Sequence, residues 1–159
     1  MGESESSDRV ALGFTGIGGR GGNLLRRCLD LETAEIAAIC DVQERHLDAV
    51  AEEIVADGRP APVTFSSHET MVSEAGLDAV IISTPWRMHL PMAITAMRHG
   101  VDVGVEVGPA STVEECWELV RTANRTDSRC MLLENSCYGD RELAALRMVR
   151  NGLFGELVH

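Results

Sequence analysis

The sequence predicts an α/β domain of the doubly wound type, a parallel sheet with helices on both faces. Three observations carry that expectation. Apolar strand-like runs alternate with amphipathic helical periods along the chain, the pattern that builds a parallel sheet through right-handed crossovers. An apolar strand over residues 10–15 runs straight into a turn where Gly16, Gly18 and Gly21 stand in G-x-G-x-x-G spacing. Asp41 then closes the next apolar run, 20 residues after Gly21. Strand, glycine turn, helix and acidic residue together form the fingerprint of a Rossmann-type dinucleotide site.

Each part of that first unit has a physical task. Gly16 lets the chain turn sharply, Gly18 lets backbone approach a pyrophosphate, and Gly21 lets helix pack close to strand. The helix that follows carries Leu24, Leu25, Cys28 and Leu29 on one face. Its N-terminus offers unpaired N–H groups and a partial positive charge to phosphates. Gly16, Ile17, Gly18, Gly19, Arg20 and Gly21 are therefore candidate cofactor-binding residues, Arg20 adding local charge. Residues 36–40 read as a strand buried on both faces. At its end Asp41 can accept from a ribose 2′-hydroxyl and would repel a 2′-phosphate, which selects NAD over NADP. Arg45, one helical turn on, reads as a solvated charge.

The rest of the chain continues the alternation. Leu47, Val50, Ala51, Ile54 and Val55 trace a helix that Asp57-Gly58-Arg59-Pro60 ends. A short strand over residues 62–65 precedes a brief helix capped by Ser66 or Ser67. Residues 79–83 form the clearest strand. It ends in the loop Thr84-Pro85-Trp86-Arg87-Met88-His89, leading to a helix with Pro91 near its first turn. That helix buries Ala93, Ile94 and Met97 and stops at Gly100. Val101, Val103 and Val105 make the next strand, ending at Glu106. Ser111-Thr112-Val113-Glu114 reads as a capping box, with Val113, Cys116, Trp117 and Val120 as the stripe behind it and Trp117 in the core. Residues 130–133 give a sixth strand, followed by Glu134-Asn135-Ser136. A last helix over residues 140–150 is closed by Asn151-Gly152, and residues 156–159 resemble the start of a further strand.

Totals exclude several classes of function. The 159 residues carry a net charge of −11 and 45% hydrophobic residues, which suits a soluble globular domain and argues against a nucleic-acid surface. Residues 9–159 read as one domain, after a disordered Ser/Glu tail over residues 1–8. Gly2 and Ser6 fit the loose myristoylation pattern, but the neighbouring Glu3 and Glu5 favour the plain tail. No apolar run is long enough for a membrane span and no signal peptide is evident, so a cytoplasmic location is expected. Five cysteines without a C-x-x-C pair read mainly as buried small hydrophobes in a reducing compartment. No H-E-x-x-H or Cys/His cluster suggests a metal, and neither a P-loop nor a G-x-S-x-G elbow is present. His46, His68 and His99 fall on polar helix faces or ends. In an open α/β sheet ligands bind beyond the carboxyl ends of strands. The candidates there are Asp41, Ser83-Thr84-Pro85, His89, Glu106 and Glu134-Asn135.

Taken together, these strand-end motifs resemble the N-terminal half of the Gfo/Idh/MocA oxidoreductases. The resemblance runs from Val10 to the end of the chain. It rests on the glycine turn, Cys40-Asp41, Ser83-Thr84-Pro85 with His89, Glu106-Val107-Gly108-Pro109, the stretch from Asn135 to Tyr138, and Asn151-Gly152-Leu153-Phe154-Gly155-Glu156. One departure stands out. The family's usual Glu-Lys-Pro places a lysine after the fifth strand, where this chain has Val107. Several of the same stretches are similar to the family's NAD-dependent glycosidases of the α-N-acetylgalactosaminidase type. That resemblance implies redox-assisted hydrolysis, in which a hydride leaves sugar C3 for tightly held NAD, the C1 substituent is eliminated, water adds and the hydride returns. It also implies Tyr138 as an acid/base, Glu106 and Asn135 at the nicotinamide end, and Thr84, Trp86 and His89 lining the ribose or ring side. The family's C-terminal domain, an open antiparallel sheet holding the sugar, would follow where this chain ends, so this half alone is expected to bind NAD and turn over little. Full-length homo-oligomers are expected. An ordinary sugar or polyol dehydrogenase and a non-catalytic NAD-binding sensor are the competing readings.

Overall fold

A computed structural model describes residues 9–156. Residues 1–8, expected as a tail, and residues 157–159, expected to begin a strand, lie outside the described residues. The elements run β1 (Val10–Thr15), α1 (Gly19–Leu29), β2 (Ala34–Cys40), α2 (Glu44–Ala56), β3 (Val63–Phe65), α3 (His68–Glu74), β4 (Ala79–Ile82), α4 (Trp86–Arg98), β5 (Asp102–Val105), α5 (Val113–Thr126), β6 (Cys130–Leu132) and α6 (Asp140–Arg150). A single 3₁₀ turn at Ser136–Tyr138 joins β6 to α6. All six strands are parallel, in the order β3-β2-β1-β4-β5-β6.

Side-chain alternation divides the core between the two faces of the sheet. Leu12, Phe14, Ile36 and Ile39 meet Leu25 of α1 and Leu47, Val50 and Ile54 of α2. On the opposite face Val80, Ile82, Val103 and Val105 meet Met71 of α3 and Ala93 and Met97 of α4. The strands keep this parity except at one place. Leu12 pairs with Ile36 but Gly13 pairs with Ala38, so β2 carries an extra residue there and Ile36 and Ile39 reach the same face. Among the described residues no helix is long and apolar enough to cross a membrane.

Three details differ from the sequence expectation. α4 begins at Trp86, with Pro85 as its N-cap, so Pro91 lies inside the helix rather than near its start. The cost is small: only the first few amides of a helix lack partners, and Pro91 gives up one bond just beyond them. The capping box exists one residue later than expected. Thr112 accepts from the Glu115 amide at 3.1 Å while Glu115 accepts from the Thr112 amide at 3.2 Å. With that register α5 packs through Leu119, Thr122 and Ala123, leaving Val113, Cys116, Trp117 and Val120 exposed or nearly so. Trp117 is not core. Likewise Cys116 is exposed, whereas Cys40 is buried and Cys28 and Cys130 are half-buried.

Candidate functional site

The sheet order fixes where a ligand can sit. β1 and β4 are neighbours, and their following helices leave over opposite faces, which opens a crevice beyond their carboxyl ends. The glycine turn forms one wall. Gly16 has φ +79°, and a Cβ there would lie 2.9 Å from Thr84 Cγ2 and 3.0 Å from the Ser83 carbonyl. A Cβ on Gly21 would overlap the Gly16 carbonyl oxygen. Both glycines are thus required by the chain's own packing. Gly18 differs: a Cβ there would meet nothing nearer than His46 Cε1 at 3.7 Å. No neighbouring atom crowds a Cβ at 18, so this side of the turn is open to a group approaching from outside.

Electrostatics mark the same crevice. The protein is acidic, and α2, α3, α5 and α6 all carry Asp or Glu in their first turns. α1 and α4, the two helices that start at the crevice, carry none, and neither has a side-chain cap. Neither helix supplies an acidic residue to its own positive end, the arrangement that leaves room for an anion. The residues therefore fit a dinucleotide pyrophosphate.

Asp41 sits at the edge of this cradle. Its Oδ2 accepts from the Ile17 amide at 3.0 Å and its Oδ1 from the Gln43 amide at 2.9 Å. His46, placed by sequence reasoning on a polar face, instead turns its Nδ1 to within 3.3 Å of Asp41 Oδ2. Arg45 is engaged locally, donating to Gln43 Oε1 at 2.6 Å.

At the other end of the crevice Arg20 gathers two candidates from the loops that follow β5 and β6. It donates to Glu106 Oε1 at 2.7 Å and to Asn135 Oδ1 at 2.9 Å. Glu106 stands at the end of β5 with its side chain only 11% exposed, while Arg20 is 45% exposed. Trp86 lies largely exposed in the first turn of α4, its ring against Gly108, where φ is +79° and a Cβ would come within 2.9 Å of the indole. Glycine at 108 is what lets the indole settle there.

Ser83 is half-buried, and its hydroxyl oxygen is enclosed without a hydrogen-bond partner. His89 is buried within α4 and grips the loop from below, its Nε2–H donating to the Thr84 carbonyl at 2.6 Å. Tyr138 is exposed on the 3₁₀ turn, its amide donating to the Asn135 carbonyl at 3.1 Å.

His68 was expected at a polar helix end, and it is buried. The Met92 carbonyl can only accept, so Nε2 carries the hydrogen across 2.9 Å, and Nδ1 accepts from the Thr15 hydroxyl at 2.9 Å. Burial, partly opposed by the Met92 bond, lowers its pKa below the usual histidine value. His68 therefore ties the last residue of β1, just before Gly16, to α3 and α4. The only sequence signal was its place immediately after the Ser67 cap. Next to Asp41, burial and then the neighbouring carboxylate push the Cys40 thiol up to about 11.

Residues 10–134 match the profile of the Gfo/Idh/MocA oxidoreductase family, NAD-binding Rossmann fold. The chain belongs to that family. NAD is accordingly the dinucleotide of this Gfo/Idh/MocA domain. A "Glycosyl hydrolase family 109 protein" of Shewanella baltica is 46% identical over 156 residues, covering 96% of this chain and 34% of the relative. The "Alpha-N-acetylgalactosaminidase" of Shewanella oneidensis is 46% identical over 154 residues, covering 94% and 34%. The chain spans about a third of the length of these curated relatives. In fold it matches the scyllo-inositol dehydrogenase of Lactobacillus casei solved with NAD(H) and scyllo-inositol, at TM-score 0.84 and 22% identity over 93% of this chain and 43% of that one. Among the described residues no cluster of three potential metal ligands occurs.

Proposed function

We propose that this Gfo/Idh/MocA domain is the NAD-binding part of an enzyme that cleaves a glycoside by transient oxidation of its sugar. The observation that carries the reading is the 46% identity, over nearly the whole chain, to relatives named as glycosidases. The strand-end set at the crevice agrees with it, since Glu106 is followed by Val107 and takes its cation from Arg20 instead. Bound NAD supplies a hydride acceptor for sugar C3, which acidifies the proton on C2. The chain's own residues bind and orient. Amides of the glycine turn and the start of α1 hold the pyrophosphate, and Asp41 accepts from the adenosine ribose. Ser83, Thr84 and Trp86, with His89 fixing the Thr84 carbonyl, line the middle of the crevice. Arg20, Glu106 and Asn135 close the nicotinamide end. Tyr138, next to Asn135 in the 3₁₀ turn, moves the proton at sugar C2.

The sugar itself would be held largely by a following C-terminal domain in a cytoplasmic homo-oligomer. The test uses the full-length protein with an aryl N-acetylgalactosaminide. Release of p-nitrophenol without net NADH is the expected result. Stoichiometric NADH from a polyol, without p-nitrophenol release, assigns a dehydrogenase and overturns the reading.

A further inference from the structure

The fold brings His46 against Asp41 and beside the open side of Gly18. His46 lies in the first turn of α2, and its Nδ1 is shut off from solvent with no hydrogen bond, although Asp41 Oδ2 is 3.3 Å away. Its Cε1 is also the nearest atom to the open side of Gly18, at 3.7 Å from where a Cβ would stand. The ring therefore spans the space between the carboxylate at the end of β2 and the cradle before α1.

We propose that His46 sets the dinucleotide specificity of this site together with Asp41. With the ring neutral, no cation faces the Asp41 carboxylate that the Ile17 and Gln43 amides hold in place, and it accepts from a 2′-hydroxyl and repels a 2′-phosphate. With the ring protonated, a cation lies against that carboxylate, repulsion falls and a 2′-phosphate is tolerated. The preference for NAD over NADP thus narrows when the imidazole carries a proton. The other charged groups nearby do not substitute for it. Arg20, from the glycine turn, is committed to Glu106 and Asn135, and Arg45, on the same helix beside Glu44, is committed to Gln43. From β2, Asp41 faces the ring, and among the described residues no other ion pair reaches it.

The proposal rests on Asp41 as the ribose acceptor, and the experiment separates the two. Dissociation constants for NAD⁺ and NADP⁺ are measured by calorimetry on the full-length protein between about pH 6 and pH 8.5, the histidine range. The 2′-phosphate itself titrates near 6, so the readout is the difference between wild type and His46→Gln. In wild type the ratio of NADP⁺ to NAD⁺ dissociation constants rises with pH by about threefold to tenfold more than in the variant, a modest single-charge effect. Equal pH dependence in the two proteins overturns the role of His46. Asp41→Asn removes the carboxylate and keeps the imidazole, and tighter NADP⁺ binding that has lost the His46-dependent pH component supports the pair, whereas an undiminished component overturns it. If Asp41→Asn changes neither affinity, the ribose role of Asp41 fails first. His46 is partly exposed, and an unchanged unfolding midpoint shows that His46→Gln is folded.

Discussion

Gly18→Ala and Gly21→Ala are the same chemical change three residues apart, and the structure gives them opposite consequences. At Gly21 the new Cβ meets main chain: it overlaps the Gly16 carbonyl oxygen and lies 2.9 Å from its carbon. Neither atom is the end of a flexible side chain, so α1 must move off β1, where Ile17 and Leu25 are buried. Overpacking of this kind costs about 3 kcal/mol, the upper part of the usual range. At roughly 2–4 °C per kcal/mol for a chain of this size, Tm falls by about 6–12 °C. At Gly18 the nearest atom is 3.7 Å away and φ is −64°. Folded stability there changes by less than about 0.5 kcal/mol. The methyl group stands where a pyrophosphate approaches the turn, and NAD affinity drops at least about tenfold, or 1.4 kcal/mol. Urea unfolding and calorimetric titration with NAD measure the two quantities separately. Wild-type NAD binding by Gly18→Ala, or wild-type stability of Gly21→Ala, refutes the division of labour between packing and ligand.

Three further outcomes follow from side chains at the crevice. Arg20→Met keeps the aliphatic stem and removes the donors to Glu106 and Asn135. Because Arg20 is nearly half exposed, stability falls by only about 1 kcal/mol; NAD affinity, read by calorimetry, falls by more, and equal losses would count against a role at the cofactor. For His68 the folded pKa lies below the unfolded one, so its contribution is complete above the ordinary value near 6.5 and is lost as pH falls through that value toward the folded pKa. Urea unfolding of wild type therefore weakens below about pH 6.5 with a limiting slope near 1.4 kcal/mol per pH unit from this group, and His68→Gln lacks that component. The buried Cys40 thiol, raised to about 11, resists iodoacetamide in the folded protein while exposed Cys116 and Cys137 are alkylated, which peptide mass spectrometry resolves.

What was legible in the sequence was local. Strand and helix periodicities identified all six βα alternations, because a strand buried on both faces and a helix with one apolar face leave different spacings. The glycine turn was legible because Gly16 and Gly21 are demanded by contacts within a few residues or at the adjoining strand end. α5 shows where periodicity runs out. It carries two apolar stripes, Val113-Cys116-Trp117-Val120 and Leu119-Ala123, and spacing alone cannot say which one meets the sheet. The capping residue, one position away from the expected Ser111, fixes the start of the helix but not its rotation against α4. The histidines failed for a different reason. His68 reaches Thr15 across 53 residues, and His46 meets Asp41 through the conformation of the turn between β2 and α2, which spacing does not reveal. Both looked like polar surface residues because their partners lie on other elements.

The same reasoning changes the meaning of the lysine that Val107 replaces. In a linear motif its loss reads as a missing charge beside Glu106, and so as evidence about the reaction. In the fold that carboxylate has a cation at 2.7 Å, delivered from the glycine turn 86 residues earlier and shared with Asn135 in the loop beyond the next strand. The cation beside Glu106 is therefore an arginine, and its chemistry is not that of a lysine. A lysine ammonium is a compact donor whose proton can be shifted in a buried site, whereas a guanidinium keeps its proton and acts as a rigid fork. An arginine at this place can orient Glu106 and Asn135 but cannot serve as a proton donor and acceptor. Under the proposed function proton movement falls to another group at this edge, and Tyr138 is an exposed hydroxyl-bearing side chain in the turn after Asn135. The departure at Val107 is thus coupled to the proposed task of Tyr138, and Arg20 is the residue that couples them.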